Sequence, residues 1–285
     1  FRFDLMALVD LETIKIAIKE LRKIKPNILI YGEPWMALST PLSRDQQIWK
    51  GSQRSNNFAV FNDDFRDAIK GDVNSYGKGY IQGIYSYKEA IKLGIRGSID
   101  YGEGFGFADD ASETINYYNC HDNLIIYDKL QISLDDTRDI KSYVKLATGI
   151  VMLSFGKPFI YEGNEFNHSK KNDSNSYRSP LSVNSIDWKN KKNNMDLFSY
   201  TKQIINLRKQ IGVFKYTKKE EIEERLEFID GLDDSLIGYL LDGKYLVLIN
   251  ANPSSMLVDS ELIKVHIDNY DEEKIIKIFG KEGKS

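Results

Sequence analysis

Three carboxylates in this sequence lie within or directly after apolar segments, where acidic residues are uncommon. Asp4 lies inside the apolar run "FRFDLMALV", Glu33 ends the run "NILIYGE", and Asp122 follows the apolar segment "ETINYYNC". Acidic residues are depleted in strands, and an unpaired buried carboxylate costs several kcal/mol or more. Their recurrence within and after apolar runs indicates a functional site.

The chemistry that these carboxylates could perform depends on their spacing in the fold. If the runs are parallel strands of a βα barrel, their carboxyl ends meet on one face and bring the three side chains together. Two carboxyl groups about 5 Å apart across a glycosidic bond act as nucleophile and general acid/base in retaining glycoside hydrolysis. Arg2, two residues before Asp4 on the same strand face, would keep that carboxylate ionised.

The elements that must position these residues alternate between short apolar runs and helical periods. In "DLETIKIAIKELRKIK" the apolar residues share one helical face, Asp10 is the expected N-cap and Pro26 closes the helix. Further helices are predicted in "FNDDFRDAIKG", "TRDIKSYVKLATGIVMLSF" and "MDLFSYTKQIINLRKQ". Five strands are expected, near Phe3, Ile30, Phe58, Tyr117 and Phe159. The alternation predicts an α/β fold with a parallel sheet covered by helices.

The pattern changes at about Val213, where helical periodicity gives way to alternation. The segment "LIGYLLDGKYLVLINANPS" predicts a hairpin whose tight primed turn contains Asp242 and Gly243. Residues 213–285 are therefore predicted to form a small antiparallel, β-sandwich-like domain after an α/β domain of residues 1–212. The polar stretch 168–194 is predicted to be a loop whose charges are solvated.

The composition excludes several classes of protein. With 285 residues, 41% hydrophobic and 28% charged, the chain has the profile of a soluble globular protein. The net charge of 39 − 42 = −3 offers no electrostatic reason to expect nucleic acid or an anionic membrane as a partner. The single Cys120 excludes an internal disulfide framework, and no apolar run is long enough to span a bilayer.

Several motifs carry a resemblance to a known family. "FRFDLM", "YGEPW" and "YNCHDN", in this order, resemble the barrel motifs of the α-amylase superfamily of glycoside hydrolases. "YGEPW", "FNDDFRDAIKG" and "NSYRSPLSVNSIDW" are most similar to those of type I pullulanases. The resemblance runs from Phe1 to about Gln210, and the tail is similar to the C-terminal β domain of that superfamily. Three ordered motifs are far more specific than any one of them.

The resemblance implies roles for the matching carboxylates and their neighbours. Asp4 matches the nucleophile, and Arg2 matches the residue that hydrogen-bonds it. Glu33 matches the general acid/base. Asp122 matches the carboxylate that grips sugar hydroxyls in the transition state, with His121 as its hydrogen-bonding neighbour.

Four further residues are expected to bind the sugar: Trp35, Asn123, Asn175 and Tyr177. Trp35 could stack on a sugar ring, Asn123 completes the third motif, and Asn175 and Tyr177 match a substrate loop. Structural alternatives stay open. Asp4 with Arg2 could be an ion pair alone, Glu33 could cap a loop, Trp35 and His121 could be core residues, and the polar loop could have no role.

The resemblance also implies an incomplete barrel. If the strand at Phe3 is the fourth of eight, the chain holds about strands 4 to 8 of a (β/α)8 barrel, and three strands lie upstream. We therefore expect the chain to be the C-terminal part of a longer protein, with the N-terminal half of that protein as its partner. Residues 1–285 alone are expected to be aggregated or inactive.

Four positions depart from the family pattern and bear on the sugar subsites more than on the chemistry. Asn119 and Cys120 replace a pair that is usually Glu-Ser, Asn164 replaces a common acidic residue, and Leu181 replaces a small or acidic one.

The resemblance therefore implies a retaining debranching hydrolase that cleaves α-1,6 linkages in pullulan, glycogen or limit dextrins. An α-1,4-acting amylase or neopullulanase is an alternative within the family, and a non-catalytic glucan-binding protein with a degenerate barrel is an alternative outside catalysis. The mechanism requires no metal or organic cofactor. The compartment, cytoplasmic or secreted, stays open.

Overall fold

The first sheet of the protein is parallel and follows the order of the sequence. The computed structural model describes residues 1–102, 104–135, 139–258 and 275–279. Within these ranges the sheet consists of five strands, β1 (Arg2–Phe3), β2 (Tyr31–Gly32), β3 (Ala59–Phe61), β4 (Thr114–Asn116) and β5 (Lys157–Pro158). Every neighbouring pair is parallel, which confirms the predicted α/β class.

Helices follow these strands and cover the sheet. The described helices are α1 (Leu11–Ile24), α2 (Asp63–Lys70), α3 (Lys88–Ile95), α4 (Ile126–Ser133), α5 (Ile140–Met152), α6 (Leu181–Asn184), α7 (Lys189–Asn193), α8 (Met195–Ile211) and α9 (Lys219–Glu223). Asp10 caps α1 as predicted, because its side chain accepts a hydrogen bond from the Thr13 N–H at 2.9 Å. None of the helices in the described ranges has the length and apolar character needed to cross a membrane.

The polar stretch 168–194 differs from its prediction as a solvated loop. It contains the short helices α6 and α7, and it buries His168 and Lys170, which are 4% and 3% exposed. The backbone N–H of Lys170 donates to Asp128 on α4 at 2.8 Å. Composition could not reveal this burial, because the carboxylate that anchors the stretch belongs to a distant helix.

The second sheet contains β6 (Leu226–Ile229), β7 (Leu236–Leu241), β8 (Tyr245–Asn250) and β9 (Ile275–Phe279) in this order. The predicted hairpin joins β7 to β8, and Asp242 and Gly243 have φ angles of 52° and 60°, as a primed turn requires. The prediction of an antiparallel domain is wrong, because β9 pairs parallel to β8 and the sheet is mixed. A parallel neighbour needs a long crossover, and residues 251–274 separate the two strands.

The main apolar core is continuous between the two sheets. It joins Ile150 of α5 and Ile204 of α8 to Tyr239 and Ile278 of the second sheet. A Cβ on Gly149 would lie 2.6 Å from the Ile278 side chain, so the glycine lets β9 approach α5 closely. The division into domains 1–212 and 213–285 stays a prediction.

Candidate active site

The first two predicted carboxylates lie directly after neighbouring strands. Asp4 follows β1 with its side chain 69% exposed, whereas Glu33 follows β2 and is 3% exposed. Arg2 donates through Nη1 to Asp4 Oδ1 at 2.8 Å and through Nη2 to Glu33 Oε1 at 2.6 Å. A single guanidinium therefore bridges both carboxylates, because the parallel register of β1 and β2 sets them side by side.

The backbone at Leu5 gives Glu33 a second hydrogen bond. Leu5 has φ 41° and ψ 51°, a left-handed conformation that non-glycine residues rarely adopt. Its N–H donates to Glu33 Oε2 at 2.8 Å, so both oxygens of Glu33 accept N–H groups. Backbone strain of this kind costs about 1–3 kcal/mol and is concentrated at active sites and ligand clamps.

Arg2 has a different electrostatic setting from the one that the sequence suggested. Burial alone would lower the pKa of its guanidinium, but the charge of Glu33 and the contacts with Asp4 outweigh burial and raise the pKa. The sequence assigned Arg2 to Asp4 only. In the structure its shorter contact is with Glu33, which the sequence separates from it by a whole βα unit.

The third carboxylate lies on the segment between β4 and α4. Asp122 Oδ2 is 3.4 Å from Nε2 of His121, and both side chains are about half exposed. The neighbouring Cys120 is buried, and burial raises the pKa of its thiol. These three side chains offer sulfur, nitrogen and oxygen atoms within 4.8 Å of one another, a set that could hold a metal ion such as Zn²⁺.

A cavity of about 830 Å³ joins these groups at the carboxyl ends of the strands. Its lining includes every residue that the sequence analysis selected except Arg2, namely Asp4, Glu33, Trp35, His121, Asp122, Asn123, Asn175 and Tyr177. Arg2 contacts two of them. The structure thus brings all the selected residues together, and their individual roles stay predictions.

Aromatic rings pack beside this cavity. The ring of Phe61 on β3 lies 4.9 Å from that of Tyr117 and 6.3 Å from that of Trp35. Trp35 is therefore partly a packing residue, although it also lines the cavity. Tyr177 is 70% exposed, with the Arg178 guanidinium 5.1 Å from its ring centroid.

Several further residues line the same cavity that were not predicted from the sequence. Arg66 donates through Nη1 to the Tyr117 hydroxyl at 2.9 Å, and Asp63 begins α2 just after β3. The signal for Asp63 was present, because it follows a strand end as the other carboxylates do. Nothing local indicated that Lys50 would contact Asp63 at 2.7 Å.

Known proteins that are similar to this chain in sequence include several pullulanases. No protein-family model matches the chain. The chain is 34% identical over 245 residues to the pullulanase of Bacillus subtilis strain 168, an alignment that covers 85% of this chain and 34% of that protein.

Two solved structures are similar to the fold. The type I pullulanase of Bacillus subtilis strain 168 complexed with maltose superposes with a TM-score of 0.84 and 32% identity, over 90% of this chain and 37% of that one. The pullulanase of Paenibacillus barengoltzii in complex with maltohexaose and α-cyclodextrin superposes with a TM-score of 0.84 and 33% identity. The match covers 90% of this chain and 42% of that one. The chain spans about a third of the length of the curated pullulanase that it matches.

Proposed function

Because this chain belongs to the pullulanase-like glycoside hydrolases, we propose that it carries the catalytic carboxylates of a retaining α-glucan debranching hydrolase. The bonds cleaved are α-1,6 linkages in pullulan, glycogen or limit dextrins. The observation that carries this proposal is the convergence of Asp4, Glu33 and Asp122 on one cavity, with Arg2 bridging the first two. The maltose and maltohexaose in the similar structures support an α-glucan as the ligand.

The proposed reaction has two steps that reuse the same carboxylates. Asp4 attacks the anomeric carbon while the glycosidic C–O bond breaks and Glu33 gives its proton to the leaving oxygen. Glu33 then removes a proton from water, and the resulting attack on the anomeric carbon releases Asp4. Asp122 binds hydroxyls of the reacting sugar, and the remaining cavity residues bind the flanking sugars.

Proton delivery by Glu33 requires a change in its contacts. A general acid must present a proton to the leaving oxygen, whereas both Glu33 oxygens accept N–H groups from Arg2 and Leu5 in this structure. We therefore expect the substrate oxygen to replace the Arg2–Glu33 contact. Arg2 then keeps its contact with Asp4, the partner that the family resemblance assigns to it.

The first sheet supports a second part of the proposal, that it is the portion of a (β/α)8 barrel from about strand 4 to strand 8. Within the described ranges, β1 and β5 each pair on one side only, which leaves two open edges. An apolar cleft of about 640 Å³ lies beside the β5 edge, lined by residues that include Pro158, Ile160 and Phe214. Three further strands would satisfy both edges and close the barrel.

The partner in this proposal is the upstream part of the same protein. We use "assembled protein" for residues 1–285 together with that part. Co-expression should restore hydrolysis of pullulan, because association pairs both open edges. Size-exclusion chromatography and a reducing-sugar assay, with and without the upstream part, test this. A soluble, monomeric and fully active 285-residue chain contradicts it.

Product analysis on pullulan tests the linkage in the assembled protein. Maltotriose as the product supports α-1,6 cleavage, whereas panose supports the α-1,4-acting amylase or neopullulanase. Binding of pullulan without any product supports the non-catalytic glucan-binding alternative.

A further inference from the structure

A buried lysine connects the two loop segments that form one wall of the cavity. Lys170 is 3% exposed, and its ammonium donates to the His121 carbonyl oxygen at 2.5 Å and to Ser176 Oγ at 2.6 Å. One acceptor belongs to segment 119–124, which carries His121, Asp122 and Asn123. The other belongs to segment 174–178, which carries Asn175 and Tyr177. One side chain therefore holds both segments.

The position of Lys170 is itself fixed from α4. The side chain of Asp128, 1% exposed, accepts the Lys170 N–H at 2.8 Å through Oδ2 and the Ser169 hydroxyl at 2.5 Å through Oδ1. The Lys170 ammonium also lies 5.7 Å from the ring centroid of Tyr161. Contacts from α4 thus fix the backbone from which the Lys170 side chain extends.

Each of the two segments is also held from its far side. Asn74 donates to Asn123 Oδ1 at 2.8 Å, and Asn184 donates to the Ser176 carbonyl oxygen at 2.7 Å. Asn123 has a positive φ of 61°, a conformation that asparagine adopts more readily than most residues. Lys170 is the group that connects the two clamped segments to each other across the buried wall.

The charge of Lys170 is not needed for packing. Its hydrogen-bond acceptors are neutral oxygens, and among the described residues no carboxylate lies within ion-pair distance of its ammonium. Burial lowers the pKa of Lys170, and the Asp122 carboxylate opposes that shift. A buried cation without an ion-pair partner costs stability that an apolar side chain would not. The hydrogen bonds to these two oxygens therefore best explain why a lysine is buried at this position.

We propose that Lys170 is a positioning residue that sets the distance between segments 119–124 and 174–178 and so the position of Asp122 against the bound sugar. The proposal rests on the proposed function of the cavity. Lys170 does not line the cavity, so it acts through His121 and Ser176 and does not contact the glucan.

Kinetics of the assembled protein on pullulan test the proposal. Lys170→Met keeps the chain length and removes the three donors, and kcat should fall by roughly tenfold to a hundredfold, the cost of an ångström-scale misplacement. Lys170→Arg should recover part of the loss. The exposed neighbour Lys171 is the matched control, and Lys171→Met should leave kcat and KM unchanged. A change in KM alone would overturn the role assigned to Asp122.

Amide hydrogen exchange tests the connection without relying on activity. Lys170→Met should accelerate exchange in both segments, and Lys171→Met should not. Ser176→Ala, which removes one acceptor only, should accelerate exchange in 174–178 and serves if Lys170→Met does not fold. If wild-type protein fails to hydrolyse pullulan, the proposed function fails, yet faster exchange still supports the connection. Unchanged exchange in both variants overturns it.

Discussion

The two sheets of this protein are built in opposite ways. Strands of the parallel sheet pair over only two or three residues each, and polar side chains are concentrated at their carboxyl ends. In the second sheet, β7 and β8 pair over six residues, and all of β7 is buried. Short parallel strands with long connections leave room for a site, whereas long paired strands supply apolar contact area.

The difference extends to what each region buries. The region of the parallel sheet buries Glu33, Lys70 and Lys170, groups whose desolvation is unfavourable unless they are paired or hydrogen-bonded. The second sheet instead buries Leu240, Val247 and other apolar side chains. Changes in the first region should therefore alter function more than stability, and changes in the second should do the reverse.

The largest expected effect is that of Asp4→Asn in the assembled protein. Turnover of pullulan should be abolished, because the amide cannot form the glycosyl intermediate. Stability should hardly change, since the side chain is 69% exposed. A reducing-sugar assay and a thermal melt measure the two quantities, with Asp230→Asn at a 93% exposed position as the control. Near-normal activity of Asp4→Asn would show that the nucleophile is another residue.

Glu33→Gln should have the next largest effect, and it should depend on the leaving group. Loss of general acid catalysis should lower kcat on pullulan by about 10²–10⁴-fold. An aryl glycoside whose leaving group needs no proton should still react in the first step. Comparison of both substrates in Asp4→Asn and Glu33→Gln separates the two roles. Equal losses on both substrates in Glu33→Gln would contradict the acid assignment.

Truncation in the second sheet should produce the opposite pattern. Leu241 is fully buried at the end of β7, and Leu241→Ala should lower the free energy of unfolding by about 2–5 kcal/mol. The kcat of the folded protein should not change. Leu257→Ala makes the same substitution at a fully exposed position and should leave stability unchanged. Denaturant unfolding measures both, and a large loss of kcat in Leu241→Ala would erase the contrast between the sheets.

The remaining expected effect concerns the pH dependence of stability. Burial, with a further contribution from Arg66, lowers the pKa of Lys70 from 10.5 to about 7. Between these values the unfolded chain holds a proton that folded Lys70 has released, so the free energy of unfolding rises with pH.

Lys70→Met should therefore reduce this slope. Burial also lowers the pKa of Lys129, Lys157 and Lys170, so part of the slope should remain. Urea unfolding between pH 7 and 10 measures the change, with exposed Lys19→Met as the control. If the free energy of unfolding changed with pH equally in wild type and Lys70→Met, Lys70 would be charged in the folded protein.

Local pattern was enough to predict much of the fold. The N-cap at Asp10 and the primed turn at Asp242 and Gly243 are decided by residues a few positions apart, and both are confirmed. The parallel pairing of β9 was missed, because pairing across residues 251–274 depends on the packing of Ile278 against α5.

The sequence by itself indicated that Asp4, Glu33 and Asp122 lie at or after the ends of apolar runs, and so which three carboxylates to expect at one face of a parallel sheet. Only the tertiary structure decided their partners. Arg2 contacts Glu33 because β1 and β2 lie in parallel register, and Lys170 is buried because Asp128 on α4 holds its backbone. The alternation of side chains along a strand depends on residues that are close together in the sequence. These contacts instead join residues that only packing brings within hydrogen-bond distance.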